Sequence, residues 1–236
     1  MTHLKTNKKS LTADLMQRGP KASLFITFEG SEGCGKSTQL AALAKYLRQK
    51  HDEREVVLLR EPGGTSLGEK IRHLLKHEDP GVSISAEAEL LLFAASRAQL
   101  VREIIHPALQ RGAIVLCDRF LDSTIAYQGA ARALNLEDVA MINRFATGGL
   151  LPDVTILLDL EVAVGRTRMM ERNKKSTTLD RMEQEPEAFY EAVRQEYLNL
   201  AATEPDRWIV IDGSSNSQEV FQRIITQLFP RPFSNG

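Results

Sequence analysis

The stretch "FEGSEGCGKSTQL", residues 28–40, follows the apolar run "SLFIT" and precedes the helical pattern "AALAKYL". It fits G-x-x-x-x-G-K-[ST], a loop whose backbone N–H groups cradle phosphates. Gly30, Gly33 and Gly35 permit conformations that a Cβ forbids. The segment from Gly30 to Thr38, with Ser31, Glu32 and Cys34 among the glycines, points successive N–H groups inward at the positive end of a helix. Lys36 would reach the terminal phosphates, and the Ser37 hydroxyl would be a ligand for Mg²⁺. The pattern predicts that a nucleoside triphosphate is held. It is silent on the chemistry that follows.

A switch, a motor and a phosphoryl transferase all use such a loop. A guanine-specific switch needs Asn-Lys-x-Asp, and the pairs Asn7–Lys8 and Asn173–Lys174 lack the Asp. A transferase needs a second anion site. Arg60 opens "REPGGTSLG", where Pro62, Gly63 and Gly64 make a turn and Thr65 or Ser66 can cap a helix. Arg119 follows Asp118 in "LCDRF". Two such guanidiniums suit bidentate capture of a phosphate monoester, although either alone reads as a surface ion pair. Phe93 and Arg97 lie four apart and share a helix face. A ring beside a forked donor can stack on a nucleobase and bond its carbonyl edge, whereas Phe93 by itself reads as core.

The segment "RTRMMERNKKSTTLDR" carries Arg166, Arg168, Arg172, Lys174, Lys175 and Arg181. A cation run is ordinarily a solvated face. Above a phosphate site, a basic lid can close over the transferred group and neutralise developing charge. The phosphate loop contains no arginine, so cations must come from elsewhere. Cys34, beside Lys36 at a helix start, reads either as a reactive thiol or as a small filler. Cys117 reads as inert strand core.

These residues need a frame. Five apolar runs, Leu24–Phe28, Val56–Leu59, Ala113–Cys117, Val154–Leu158 and Trp208–Ile211, are each followed by a charged residue. Continuous rather than alternating runs suit strands buried on both faces of a parallel sheet. Helical patterns separate them: Leu67, Ile71, Leu74 and Leu75; the long "SAEAELLLFAASRAQLVREIIHPALQ"; "EVAVGRTRMMER"; and "PEAFYEAVRQEYLNLA". The alternation predicts an α/β fold, a doubly wound parallel five-stranded sheet with helices on both faces. Ligands in such sheets collect at the strands' carboxyl ends.

The chain has 236 residues, 42% hydrophobic and 26% charged, with a net charge of −1. That balance gives no reason to expect nucleic acid or membrane as a partner. Residues 1–22 read as a flexible basic tail, 23–230 as one phosphate-loop domain with its lid at about 166–181, and 231–236 as a second tail. With no secretory signal, no run of about 18 apolar residues and two cysteines, Cys34 and Cys117, a cytoplasmic protein is expected.

Together, "FEGSEGCGKSTQ", "REPGGTSLGEKIR", "LLFAASRAQ", "CDRFLDSTIAYQG", "LPDVTILLDL" and "LDRMEQE" resemble thymidylate kinases, the P-loop nucleoside monophosphate kinases that act on dTMP. The motifs occur in that family's order over residues 25 to about 212. The resemblance implies ATP on residues 30–37 and transfer of its γ-phosphoryl to dTMP, with Mg²⁺. It also implies Arg60 and Arg119 on the dTMP phosphate, and Phe93 and Arg97 on thymine. Tyr127 and Gln128 would complete the pocket, Tyr127 near the deoxyribose, with Ser123 and Thr124 near the base. Basic residues in the lid rather than in the phosphate loop mark the type common in bacteria, with Arg168 and Arg172 the best-matched cations. "NKKSTT" makes this lid longer than the compact form, leaving open which of Arg168, Arg172 and Lys174 reaches the phosphates. Asp118 would orient Mg²⁺ or Arg119, or serve as a salt-bridge partner. A homodimer is implied by the same resemblance. The alternatives are a kinase for another nucleoside monophosphate or a deoxynucleoside, and a non-catalytic nucleotide sensor, whose mark would be loss of Lys36 or of the lid arginines.

Overall fold

A computed structural model describes residues 23–50, 53–77, 83–173 and 180–229. The tails expected at 1–22 and 231–236, and Lys174 and Lys175 of the lid, lie outside the described residues. Each apolar run is a strand: β1 (Leu24–Glu29), β2 (Val56–Arg60), β3 (Ile114–Asp118), β4 (Val154–Asp159) and β5 (Trp208–Asp212). All pair in parallel, in the order β2-β3-β1-β4-β5. Every residue of β1 is buried, whereas the edge strands β2 and β5 are partly open. The chain moves to one side of β1 for β2 and β3 and to the other for β4 and β5. The segments that follow β1, β3 and β4 therefore border one crevice at the carboxyl edge.

Nine helices of α type lie among the described residues: α1 (Lys36–Lys50), α2 (Ser66–Lys76), α3 (Ala86–Leu100), α4 (His106–Gln110), α5 (Leu121–Thr124), α6 (Leu136–Thr147), α7 (Val162–Asn173), α8 (Glu187–Thr203) and α9 (Ser217–Leu228). Leu40, Leu43 and Leu47 of α1, with Val220 and Ile224 of α9, pack on Ile26, Phe28, Leu116 and Ile156. The opposite face meets Leu100, Ile105 and Phe120 beside Phe25 and Val115. Phe189, Val193 and Tyr197 of α8 cover Leu157 and Trp208 on that side. Burial of apolar side chains of this size stabilises by roughly 1.5–3 kcal/mol each.

Two departures from simple periodicity bear on the crevice. In α2, Ile71 and Leu75 are buried while Leu67 and Leu74 are about half exposed, so the expected stripe is split. The long helical pattern ending near Gly112 is interrupted by a π-helical turn at Val101–Ile105. Pro107 has no N–H, and its ring would strike the carbonyl one turn back. Widening just before it relieves that clash. A second π-helical segment, Ile125–Ala131, extends α5.

Candidate active site

A cleft of about 720 Å³ opens at the carboxyl edge. Its floor is the phosphate loop, where Gly30, Gly33 and Gly35 have φ of 132°, 74° and 98°. A Cβ on Gly33 would lie 2.2 Å from the Gly165 carbonyl of α7, so the loop touches the lid helix directly. Lys36 is buried, its Nζ donating to the carbonyls of Gly30 (3.0 Å) and Ser31 (2.8 Å) and lying 3.6 Å from Cys34 Sγ. The Ser37 hydroxyl donates to Asp118 Oδ2 at 2.6 Å. A hydroxyl and a carboxylate at the mouth of a phosphate loop are hard oxygen donors, and they suit Mg²⁺, which takes one or two protein ligands beside phosphate and water. Among the described residues no cluster of three His, Cys, Asp or Glu offers an alternative cage.

The arginines expected at strand ends do face this cleft, each held by an acid. Arg60 donates to both carboxylate oxygens of Glu69 at 3.0 and 2.9 Å and is half exposed. Arg119 has φ 69°, rare for a residue with a side chain. Its Nη2 donates to Glu32 Oε1 (2.6 Å) and Tyr127 OH (3.0 Å), and its Nη1 to Gly30 O (3.1 Å). Burial pushes the Glu32 carboxyl up, but Arg119 and Lys36 outweigh it and hold it at about 2.

Phe93 lines the cleft, whereas Arg97, one turn on, does not. Arg97 is 1% exposed and spends its donors on protein. Nε donates to Glu61 Oε2 (2.8 Å), Nη1 to Asn143 Oδ1 (2.7 Å), and Nη2 to Thr124 Oγ1 (2.8 Å) and Phe120 O (3.2 Å). Arg97 thus stands behind the cleft wall, and two of the groups to which it donates, Glu61 and Thr124, line the cleft. Glu61, whose peptide to Pro62 is cis, is pushed up to about 7 by burial against the pull of Arg97.

Tyr127 and Gln128 ride on the second π-helical segment, a distortion frequent at functional sites. Gln128 Nε2 donates to Glu89 Oε1 at 2.7 Å. Glu89 also receives Arg132 and Arg181, which ties the root of the lid to α3. In the lid, Arg168 donates to the carbonyls of Gly213 (3.0 Å) and Ser214 (3.1 Å), and Arg172 pairs with Glu183 at 2.9 Å.

The cleft therefore brings together Glu32, Gly33, Gly35, Lys36, Ser37, Thr38, Arg60, Phe93, Asp118, Arg119, Ser123, Tyr127, Gln128, Arg168 and Arg172. Gly30, Ser31 and the buried Cys34 support it from behind rather than lining it. Sequence reasoning passed over Arg72, which lines the cleft and donates to Pro62 O at 2.9 Å. Its signal was a position three after Glu69 in a helical pattern. Glu61 and Asn143, which frame Arg97, carried no signal of their own.

A family model described as thymidylate kinase matches residues 28–224. A thymidylate kinase of Pseudomonas putida (strain GB-1) is 49% identical over 209 residues, 89% of this chain and 96% of that one. One from Kosmotoga olearia is 45% identical over 204 residues, 86% and 94% of the two chains. The crystal structure of a thymidylate kinase from Ehrlichia chaffeensis superposes with a TM-score of 0.70 at 35% identity, covering 88% of this chain and 99% of that one. The chain belongs to the thymidylate kinase family.

Proposed function

From that membership we propose that the protein transfers the γ-phosphoryl group of ATP to dTMP, releasing ADP and dTDP. The observation that carries this reading is one cleft shared by a phosphate loop, two strand-end arginines, an aromatic wall and lid cations. ATP phosphates lie on Gly30–Thr38, with Lys36 turning from its two carbonyls to the terminal phosphates. Ser37 and Asp118 would hold Mg²⁺, which screens phosphate charge and fixes the geometry of the triphosphate. Arg60 and Arg119 exchange Glu69 and Glu32 for the dTMP phosphate, charge-assisted contacts of similar kind. Phe93 stacks on thymine. Thr124, polarised by Arg97, and Gln128 meet its polar edge, and a carbonyl contacting Arg97 itself would displace Thr124 or Phe120 O as acceptor. Tyr127 closes the sugar side, and Ser123 stands with Thr124 near the base.

An oxygen of the dTMP phosphate, already ionised, attacks the γ-phosphorus as the bond to the ADP oxygen breaks, so no general base is required. Catalysis comes from alignment and from cations at the transferred group. Arg168 and Arg172 supply them from the lid, α7. A non-catalytic sensor has no use for Lys36 together with these lid arginines. The exposed apolar side chains Leu91 on α3 and Met141 and Phe145 on α6 offer the surface for a homodimer. No helix among the described residues is long and apolar enough to cross a membrane. We place the enzyme in the cytoplasm.

The test is ADP release from ATP and Mg²⁺ with dTMP, dUMP, UMP, dCMP, dGMP or AMP supplied separately. Preference for dTMP, with dUMP behind it, supports the reading. Turnover with another monophosphate removes the thymine pocket, and release without any acceptor removes the transferase.

A further inference from the structure

Glu29 ends β1 on the same side as Phe25 and is wholly buried. No step above uses it. Its Oε1 accepts the Phe120 N–H at 2.8 Å, and its Oε2 accepts the hydroxyls of Ser123 (2.6 Å) and Tyr197 (2.8 Å). A hydroxyl has one proton and two lone pairs. When both protons point at the carboxylate, the remaining lone pairs are free for Arg119. Nη1 of Arg119 lies 3.2 Å from Ser123 Oγ and 3.3 Å from Tyr197 OH. The bond to Phe120 meanwhile pins the peptide that follows Arg119, whose backbone is left-handed. One carboxylate thus acts on both the backbone and the guanidinium of the same arginine.

We infer that Glu29 is a positioning residue for the acceptor site: its charge sets the direction of the Ser123 and Tyr197 hydroxyls, and through them it aims Arg119 at the acceptor phosphate. The inference rests on Arg119 being a ligand of that phosphate. A carboxylate is needed because an amide of the same shape would donate to those hydroxyls and turn their protons toward Arg119.

The groups facing Glu29 make its charge sensitive to pH. Burial raises its carboxyl to about 7, and Asp122, itself held by Arg207, pushes the same way. Arg119 and the bonds from Ser123 and Tyr197 pull it down. Cys117 on the adjacent strand β3, and Glu61 just past the end of β2, lie within electrostatic range. Above about pH 7 Glu29 is ionised and Arg119 is aimed, and below it the arrangement is lost.

Steady-state kinetics of Glu29→Gln and Tyr197→Phe test this. In Glu29→Gln, KM for dTMP should rise about tenfold or more, a charge-assisted contact having been lost. KM for ATP should stay within about twofold. The profile of kcat/KM for dTMP against pH separates positioning from mere support. The substrate's own phosphate titrates near pH 6 and gives an acid limb in every variant. The unsubstituted protein should show a further limb near 7, and Glu29→Gln should lack it. Tyr197→Phe keeps its ring beside Tyr127 and Trp208, and should move that limb to higher pH because ionised Glu29 loses a donor. Emission of Trp208 reports folding, and if Glu29→Gln does not fold, the Tyr197→Phe profile decides. Variants with unchanged KM for dTMP and superimposable profiles overturn the inference. No dTMP-dependent turnover in the unsubstituted protein overturns the functional reading, and this inference with it.

Discussion

Replacing Arg97 by Met is expected to cost stability first and substrate binding second. Met is unbranched and long enough to occupy much of the same space, so the cavity left is small. The larger effect is electrostatic. Glu61 stays buried without the cation 2.8 Å away, and its Oε1 already lacks a hydrogen-bond partner among the described residues. Removing one member of a buried pair costs about 3–5 kcal/mol. For a chain of 236 residues each kcal/mol moves Tm by roughly 2–4 °C, which puts the drop at roughly 6–20 °C. The loss should also carry a pH signature. Burial raises Glu61 from 4.5 to about 7, so the folded state binds its proton more tightly than the unfolded state does. Stability from this group is therefore greatest below 4.5 and declines as pH rises through about 7. Without Arg97 the folded-state value climbs further and the decline runs on to higher pH. The deficit against the parent should be larger at about pH 9 than at about pH 6, by about 1.4 kcal/mol for each added unit of displacement. Thermal unfolding followed through Trp208, the single tryptophan, measures both. A variant melting within about 2 °C of the parent at both pH values would refute the reasoning, and Arg97 would then be a donor reserved for ligand.

Arg172→Ala should lower kcat by about a hundredfold or more while leaving KM for both substrates nearly unchanged, because a contact to developing charge is lost. Its pair with Glu183 is largely exposed at Arg172, so stability should change by less than about 1 kcal/mol. If only KM moves, the lid assignment is wrong. Asp118→Asn should raise the Mg²⁺ concentration for half-maximal rate about tenfold, read by titrating the metal at fixed ATP, and an unchanged requirement removes Asp118 from the metal site. Phe145→Asp, at a position 86% exposed, should shift sedimentation from dimer to monomer, and an unaltered boundary rules that face out as the interface.

The strands were legible because burial on both faces leaves a continuous apolar run, and because Glu29, Arg60, Asp118, Asp159 and Asp212 close those runs where each strand ends. The arginines at those ends were legible for the same reason, since a parallel sheet sends every strand's carboxyl end to one edge. Arg97 shows the limit. Its spacing from Phe93 puts both on one face of α3, but the groups that take up its donors, Glu61, Asn143 and Thr124, arrive from three other segments and leave no trace in that spacing. The π-helical segment under Tyr127 and Gln128 leaves no periodic trace, because one widened turn alters spacing by a single residue. Helices α6 and α9 went unread although Asn135 and Asn216 cap their first turns. A short cap signal without a long apolar stripe is easily passed over.

The position of β1 has a consequence for how the chain is made. It is the middle strand of the finished sheet, yet among the described strands it leaves the ribosome first. Its neighbours come much later, with Leu24 pairing to Ile114 and Ile26 to Val154. At roughly 5–20 residues per second the wait for the first of them is about 5 s at the shortest and about 18 s at the longest. Through that interval "LFITF" presents two bare edges and an apolar surface, the conditions under which strands join copies of themselves. The vulnerable moment for this protein therefore falls during translation, when chaperone supply and synthesis rate decide how much of it reaches the sheet at all.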